Sequence, residues 1–82
     1  MDKQARILEE VTTLLRDIFA REDLAVTPAT TATDVPGWDS IKQIEIIVAA
    51  EEKYRIRMKA REVDGLRSVG DLVALIDEKS SS

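Results

Sequence analysis

Residues 36–43 read PGWDSIKQ, and within them Asp39 and Ser40 stand side by side where a Pro-Gly turn gives way to an apolar-periodic run. A serine hydroxyl becomes a nucleophile when a neighbouring base takes its proton, and histidine is the usual base. The chain contains no histidine. A self-contained Ser-His-Asp hydrolase is therefore excluded, and any chemistry at Ser40 must be carried out on it by another protein. The lack of cysteine excludes disulfides, zinc–thiolate sites and a cysteine nucleophile as well. Two readings of Ser40 remain open on these residues. It caps the following helix, with Gln43 three positions later completing a capping box. Or it is modified, because a phosphate ester at a helix N-terminus is favoured by the unpaired N–H groups and the helix dipole.

The chain that must position this pair has 82 residues, enough for one domain with a modest core. Its formal net charge of −4 argues against nucleic acid as a partner, since neutralising phosphates needs a basic face. The first ten residues, MDKQARILEE, are charged from the second position and lack an apolar signal region. No apolar run approaches the length of a membrane span. The expectation is a monomeric, cytoplasmic protein.

Hydrophobic spacing predicts three long helices. Over residues 5–19, Leu8, Val11, Leu15 and Ile18 form a stripe, widened by Ile7, Leu14 and Phe19 to roughly 140° of arc. Residues 21–38 have no sustained period and collect Thr, Pro, Asp and Gly, which predicts a long loop of the kind that is often functional. Leu24, Val26 and Val35 are its candidate anchors. A second helix is predicted over 40–54 and a third over 68–78, the latter with Val69, Leu72, Val73 and Ile76 on one face and with Ser68 and Asp71 as an acidic capping box. Between them, AREVDGL at residues 60–66 predicts a short helical turn stopping at Gly65. Residues 53–61, KYRIRMKAR, alternate basic and apolar residues with the period of a strand. No other segment alternates, so a strand here would have no partner; the stretch reads as an extended connection with Tyr54, Ile56 and Met58 turned inward. The domain spans residues 1–78, and the tail at 79–82 is expected to be disordered.

The second helix has two apolar faces. At 100° per residue, with Ser40 at zero, Ile46, Ile47, Ala50 and Tyr54 fall between about 240° and 340°. Ile41, Ile44 and Val48 fall between about 40° and 100°, surrounded by Glu45, Glu51 and Glu52. Burying both faces would force the glutamates inside a small protein. The second stripe is therefore expected to be a docking ridge made of Ile41, Ile44 and Val48 with Glu45, Glu51 and Glu52 around it.

Taken together, the long loop, the Gly-Trp-Asp-Ser turn, the two-faced acidic helix and the short following helix resemble the acyl carrier protein family. The resemblance runs from about residue 5 to residue 78 and is sharpest over residues 37–58, GWDSIKQIEIIVAAEEKYRIRM. Asp-Ser followed by Ile41, then Ile44, Glu45, Ile47, the Glu51-Glu52 pair and an aromatic at Tyr54 carry it. It implies an all-α fold, a four-helix bundle of three long helices and one short. It also implies that Ser40 bears a 4′-phosphopantetheine arm attached by a phosphopantetheinyl transferase, with Asp39 helping that enzyme and its Mg²⁺ engage the serine. Such a chain is not an enzyme. It holds acyl groups as thioesters and presents them to acyl-loading and acyl-transferring enzymes; an aminoacyl or peptidyl carrier, or an unmodified helical interaction module, are the alternatives. Carriers of primary fatty acid synthesis are generally more acidic and tend to have an acidic residue where Lys42 stands. Together with the basic 53–61 stretch, this points to a carrier for a specialised lipid, polyketide or similar pathway.

Overall fold

The computed structural model describes residues 2–80. Four helices follow one another: α1 (Lys3–Phe19), α2 (Ser40–Tyr54), α3 (Ala60–Asp64) and α4 (Val69–Ser80), with a 3₁₀ turn at Ala32–Asp34 inside the long loop. The all-α expectation holds. α1 packs against both α2 and α4, and α2 touches α4. Lys3 and Gln4 at the start of α1 meet Asp77 near the end of α4, by an ion pair of 3.1 Å and a hydrogen bond of 3.0 Å. Those two helices therefore run antiparallel. The same contacts, led by the Gln4 hydrogen bond, hold the Asp77 carboxyl below its ordinary pKa.

α1 begins two residues earlier than its apolar period suggested, because Asp2 caps it by accepting from the Gln4 N–H. Ile7, Val11 and Leu15 are buried, and Leu8, Ile18 and Phe19 pack against the core from its margin. Leu14, expected to widen the stripe, is half-buried and stands outside that cluster. α2 contributes Ile46, Ile47 and Ala50, and α4 contributes Val69, Leu72, Val73 and Ile76. One buried-edge hydrogen bond links the first two helices: the Tyr54 hydroxyl donates to Glu10 at 2.7 Å. Burial first, and then the Glu10 carboxylate, raise the Tyr54 phenol well above its ordinary pKa, so it stays a donor.

The period-two stretch is not a strand. Tyr54 ends α2, Arg55 adopts the left-handed conformation at φ 55° and caps it, and the chain then runs extended. Ile56 is buried while Tyr54 and Met58 are half-buried, as expected of an inward-facing connection. The alternation came from a helix end followed by extended backbone. A side chain fastens the connection: the Glu51 carboxylate accepts the Met58 N–H at 2.8 Å.

The expected disorder of residues 79–82 is corrected at its first two positions. α4 continues through Ser80, and Lys79 pairs with Glu62 of α3 at 2.9 Å. A basic residue in the last turn also suits the helix dipole. Ser81 and Ser82 lie outside the described residues.

The long loop is held down rather than loose. Leu24 and Val35 are buried and Val26 packs against the core, while Arg16 Nε donates to the Leu24 carbonyl at 2.7 Å. At its middle, the carbonyls of Thr30 and Pro28 accept the Val69 and Gly70 N–H groups at 2.8 and 2.9 Å. Those are first-turn donors of α4 that have no partner within the helix. The Asp71 N–H goes to Ser68 Oγ at 3.3 Å, as the capping reading expected, but the Asp71 carboxylate accepts from Arg67 N–H and not from Ser68. The loop can come this close because residue 70 is glycine: a Cβ there would lie 2.8 Å from the Pro28 carbonyl oxygen and 3.1 Å from its Cβ. Gly70→Ala is expected to destabilise the fold by about 1–3 kcal/mol, as overpacking does. Urea denaturation of the variant measures it.

Candidate functional site

The turn that sets up Ser40 is built from its neighbours. Val35 anchors it in the core, and the Trp38 N–H returns to the Val35 carbonyl at 3.2 Å. Gly37 takes φ 89°, a conformation that costs a residue with a Cβ. Trp38 then lies against Phe19, with ring centroids 5.7 Å apart, and its indole N–H donates to Gln43 Oε1 at 2.7 Å. These contacts fix the direction in which the chain enters α2.

The cap is Asp39, not Ser40. Asp39 has extended backbone and its Oδ1 accepts the Lys42 N–H at 2.9 Å. Ser40 is the first residue of the helix. The capping-box reading is thus corrected at both ends, since Gln43 is engaged by Trp38 and Ser40 does no capping. Ser40 is exposed, and its hydroxyl has no hydrogen-bond partner among the described residues. A hydroxyl that neither caps nor packs is open to modification. It also sits where the first N–H groups of α2 and the positive end of its dipole favour a phosphate ester. The residues present therefore fit a phosphodiester-linked group.

Beyond the serine, the two faces of α2 separate as their spacing predicted. Ile46 and Ile47 are 0% and 8% exposed, whereas Ile41, Ile44 and Val48 are 68%, 63% and 47% exposed. The 21–38 loop does not cover the ridge. Glu45 and Glu52 are exposed beside it. Glu51 is only half-exposed and its carboxylate is bound to the Met58 N–H, so the residue supports the connection as well as edging the ridge. Lys42, which departs from an acidic pattern, is drawn away from Ser40: its ammonium reaches Glu45 at 3.3 Å and the Ile18 carbonyl at 3.4 Å, and lies 5.9 Å from the centre of the Phe19 ring. Its charge is partly offset where it stands. Sequence reasoning missed this, as it missed the Trp38–Gln43 pair; neither leaves a periodic signal.

Behind Trp38 is a small cavity of about 40 Å³, bordered by Gln43, Ile46, Leu66, Val69 and Leu72. It has room for about one water-sized group. Ser40 thus presents its hydroxyl to solvent beside a closed core.

Comparison with known proteins agrees with this geometry. Residues 9–76 match the family described as the phosphopantetheine attachment site. The meromycolate extension acyl carrier protein of Mycolicibacterium aurum is 38% identical over 92% of this chain and 77% of its own length. The acyl carrier protein of Rhodococcus erythropolis is 32% identical over 92% of this chain and 82% of its own. The meromycolate extension acyl carrier protein of Mycobacterium tuberculosis is 31% identical, and the match spans 65% of that longer relative. In three dimensions, the solution structure of the holo acyl carrier protein of Geobacter metallireducens superposes with a TM-score of 0.84 at 34% identity, over 89% of this chain and 84% of that one. Sequence, fold and the exposed serine at the head of α2 agree, and the chain belongs to the acyl carrier protein family, whose prosthetic group is phosphopantetheine.

Proposed function

We propose that Ser40 is the attachment point and that the chain is a discrete carrier of acyl groups in a specialised lipid pathway. The observation that carries this reading is the division of labour at the head of α2: Asp39 does the capping, which leaves the Ser40 hydroxyl exposed and uncommitted. When bound, the arm supplies a thiol on which acyl groups are held as thioesters. The protein's own part is to hold Ser40 on a rigid helix start, place unpaired N–H groups near the ester phosphate, and offer partner enzymes a docking face. Tethering then raises the effective concentration of the cargo at each partner. A lipid pathway outside primary fatty acid synthesis is supported by the relatives named for meromycolate extension. Incubation with coenzyme A, Mg²⁺ and a broad-specificity phosphopantetheinyl transferase tests the reading by intact mass; a chain that gains no mass is not a carrier.

Asp39 has two separable duties. Its capping contributes about 1 kcal/mol, and asparagine caps as well as aspartate. Asp39→Asn is therefore expected to keep stability within about 0.5 kcal/mol, while slowing arm attachment if the negative charge helps the transferase and its Mg²⁺ engage Ser40. Asp39→Ala should lose both. Thermal denaturation alongside the rate of mass gain separates the two. Equal attachment rates for Asp39→Asn and the parent would leave Asp39 with capping alone.

A further inference from the structure

The exposed ridge of α2 does not end at Val48. Val48 shares a surface hollow with Glu51, Glu52, Arg55, Ile56 and Arg57. Ile41 and Ile44 thus lead, through Val48, into a hollow edged by two arginines. Both arginines are exposed, and neither guanidinium has an ion-pair or hydrogen-bond partner among the described residues. Of the two glutamates in the hollow, Glu51 is already bound to the Met58 N–H. The arginines therefore leave an uncompensated positive edge at the far end of a helix whose near end carries Asp39 and Glu45. Fifteen residues of α2 at 1.5 Å each put that edge about 22 Å along the axis from Ser40.

Arg55 adds a second observation. It occupies the left-handed position just past the helix, at φ 55°. Glycine is favoured there because a Cβ is penalised in that conformation. The fold gains no contact from the Arg55 guanidinium in return. A charged side chain held at a position where glycine would suit the backbone better points to a role outside the chain. The overall charge of −4 makes a nucleic acid or an anionic lipid surface an unfavourable occupant. A protein with a local carboxylate patch is a favourable one, because complementarity need only hold across the hollow.

We propose that the acyl-loading enzyme docks on a surface of two signs. Its cationic side chains face Glu45 and Glu52, an apolar socket takes Ile44 and Val48, and carboxylates of its own pair with Arg55 and Arg57. Opposite signs at the two ends of α2 fix which way round the enzyme lies, and so which side of the carrier its active site approaches. A uniformly acidic helix could not do this. The proposal rests on the reading of Ile41, Ile44 and Val48 as the docking ridge.

The test uses the holo protein and the loading enzyme, purified from the source cells by its ability to form an acyl thioester on that holo protein. Arg57→Glu reverses one charge, Arg55→Gly removes the other while relieving the backbone, and Val48→Ala reports on the ridge. The expected result for Arg57→Glu is a rise in KM of about fivefold to tenfold at low ionic strength with kcat unchanged. The rise should vanish near 1 M salt, where the Debye length is about 3 Å. Arg55→Gly should raise KM in the same salt-dependent way while its thermal midpoint stays at or above that of the parent, an opposition that a purely structural role would not produce. A raised KM for Val48→Ala with none for Arg57→Glu would overturn the pairing and leave the ridge standing. No change in any of the three would overturn both. Sedimentation with phosphatidylglycerol vesicles that is lost in Arg57→Glu would assign the arginines to a lipid surface instead, and would equally defeat the proposal.

Discussion

Ser40→Ala is expected to fold as stably as the parent and to accept no phosphopantetheine at all. Each half follows from the same placement. Ser40 is the first residue of α2, exposed, with a hydroxyl that bonds to nothing among the described residues, so its removal creates neither a cavity nor an orphaned polar group. Alanine is also a better helix former than serine. The change in stability should stay within about 0.5 kcal/mol. Had Ser40 been the cap, the same substitution would cost about 1 kcal/mol, so a urea titration separates the two roles of the residue before any modification is attempted. Loss of mass gain in a folded variant then assigns the chemistry to the hydroxyl. A mass gain that persists in Ser40→Ala would move the site elsewhere, with Ser68, at the start of α4, the next serine to examine.

The second large effect lies two turns further along α2. Ile46→Ala is expected to cost about 2–5 kcal/mol. Ile46 is fully buried between α1, α2 and α4 and also borders the small cavity behind Trp38. Truncation would enlarge that cavity, and the cost grows with the volume left unfilled. For a domain of this size, 2 kcal/mol is a large share of the total stability. Val48→Ala, only two residues away, should stay within about 1 kcal/mol, because Val48 faces solvent and its removal leaves no void. The same change should slow acyl loading, since apolar groups at the centre of an interface carry most of its binding energy. Thermal denaturation and loading kinetics on this pair therefore probe both faces of one helix. If Val48→Ala unfolds the protein as badly as Ile46→Ala, the ridge belongs to the core.

Much of this was legible in the residues because helices write their burial into a local period. The assignment of Ile46, Ile47 and Ala50 inward and of Ile41, Ile44 and Val48 outward needs only the 100° step of α2, and the structure bears out both sets. What the residues concealed lies in contacts between distant segments or in a choice of one position. Asp39 and Ser40 are both good N-caps, so composition cannot decide between them; the Gly37 turn and the seating of Trp38 on Phe19 decide it by fixing where the helix starts. The loop carbonyls of Pro28 and Thr30 on the head of α4, and Glu51 on Met58, join segments that no periodicity relates. Lys79 and Ser80 look like a polar tail until Glu62 is brought beside Lys79 by the packing of α3.

The central claim is that one serine, spared from capping by the aspartate before it, carries the arm. Peptide mapping by tandem mass spectrometry, after treatment with coenzyme A, Mg²⁺ and a broad-specificity transferase, tests that claim most directly. The account predicts a single phosphopantetheine per chain, on the peptide containing Trp38-Asp39-Ser40 and localised to Ser40. A modified Ser68, or a chain that remains unmodified while a known carrier in the same tube is converted, would contradict it.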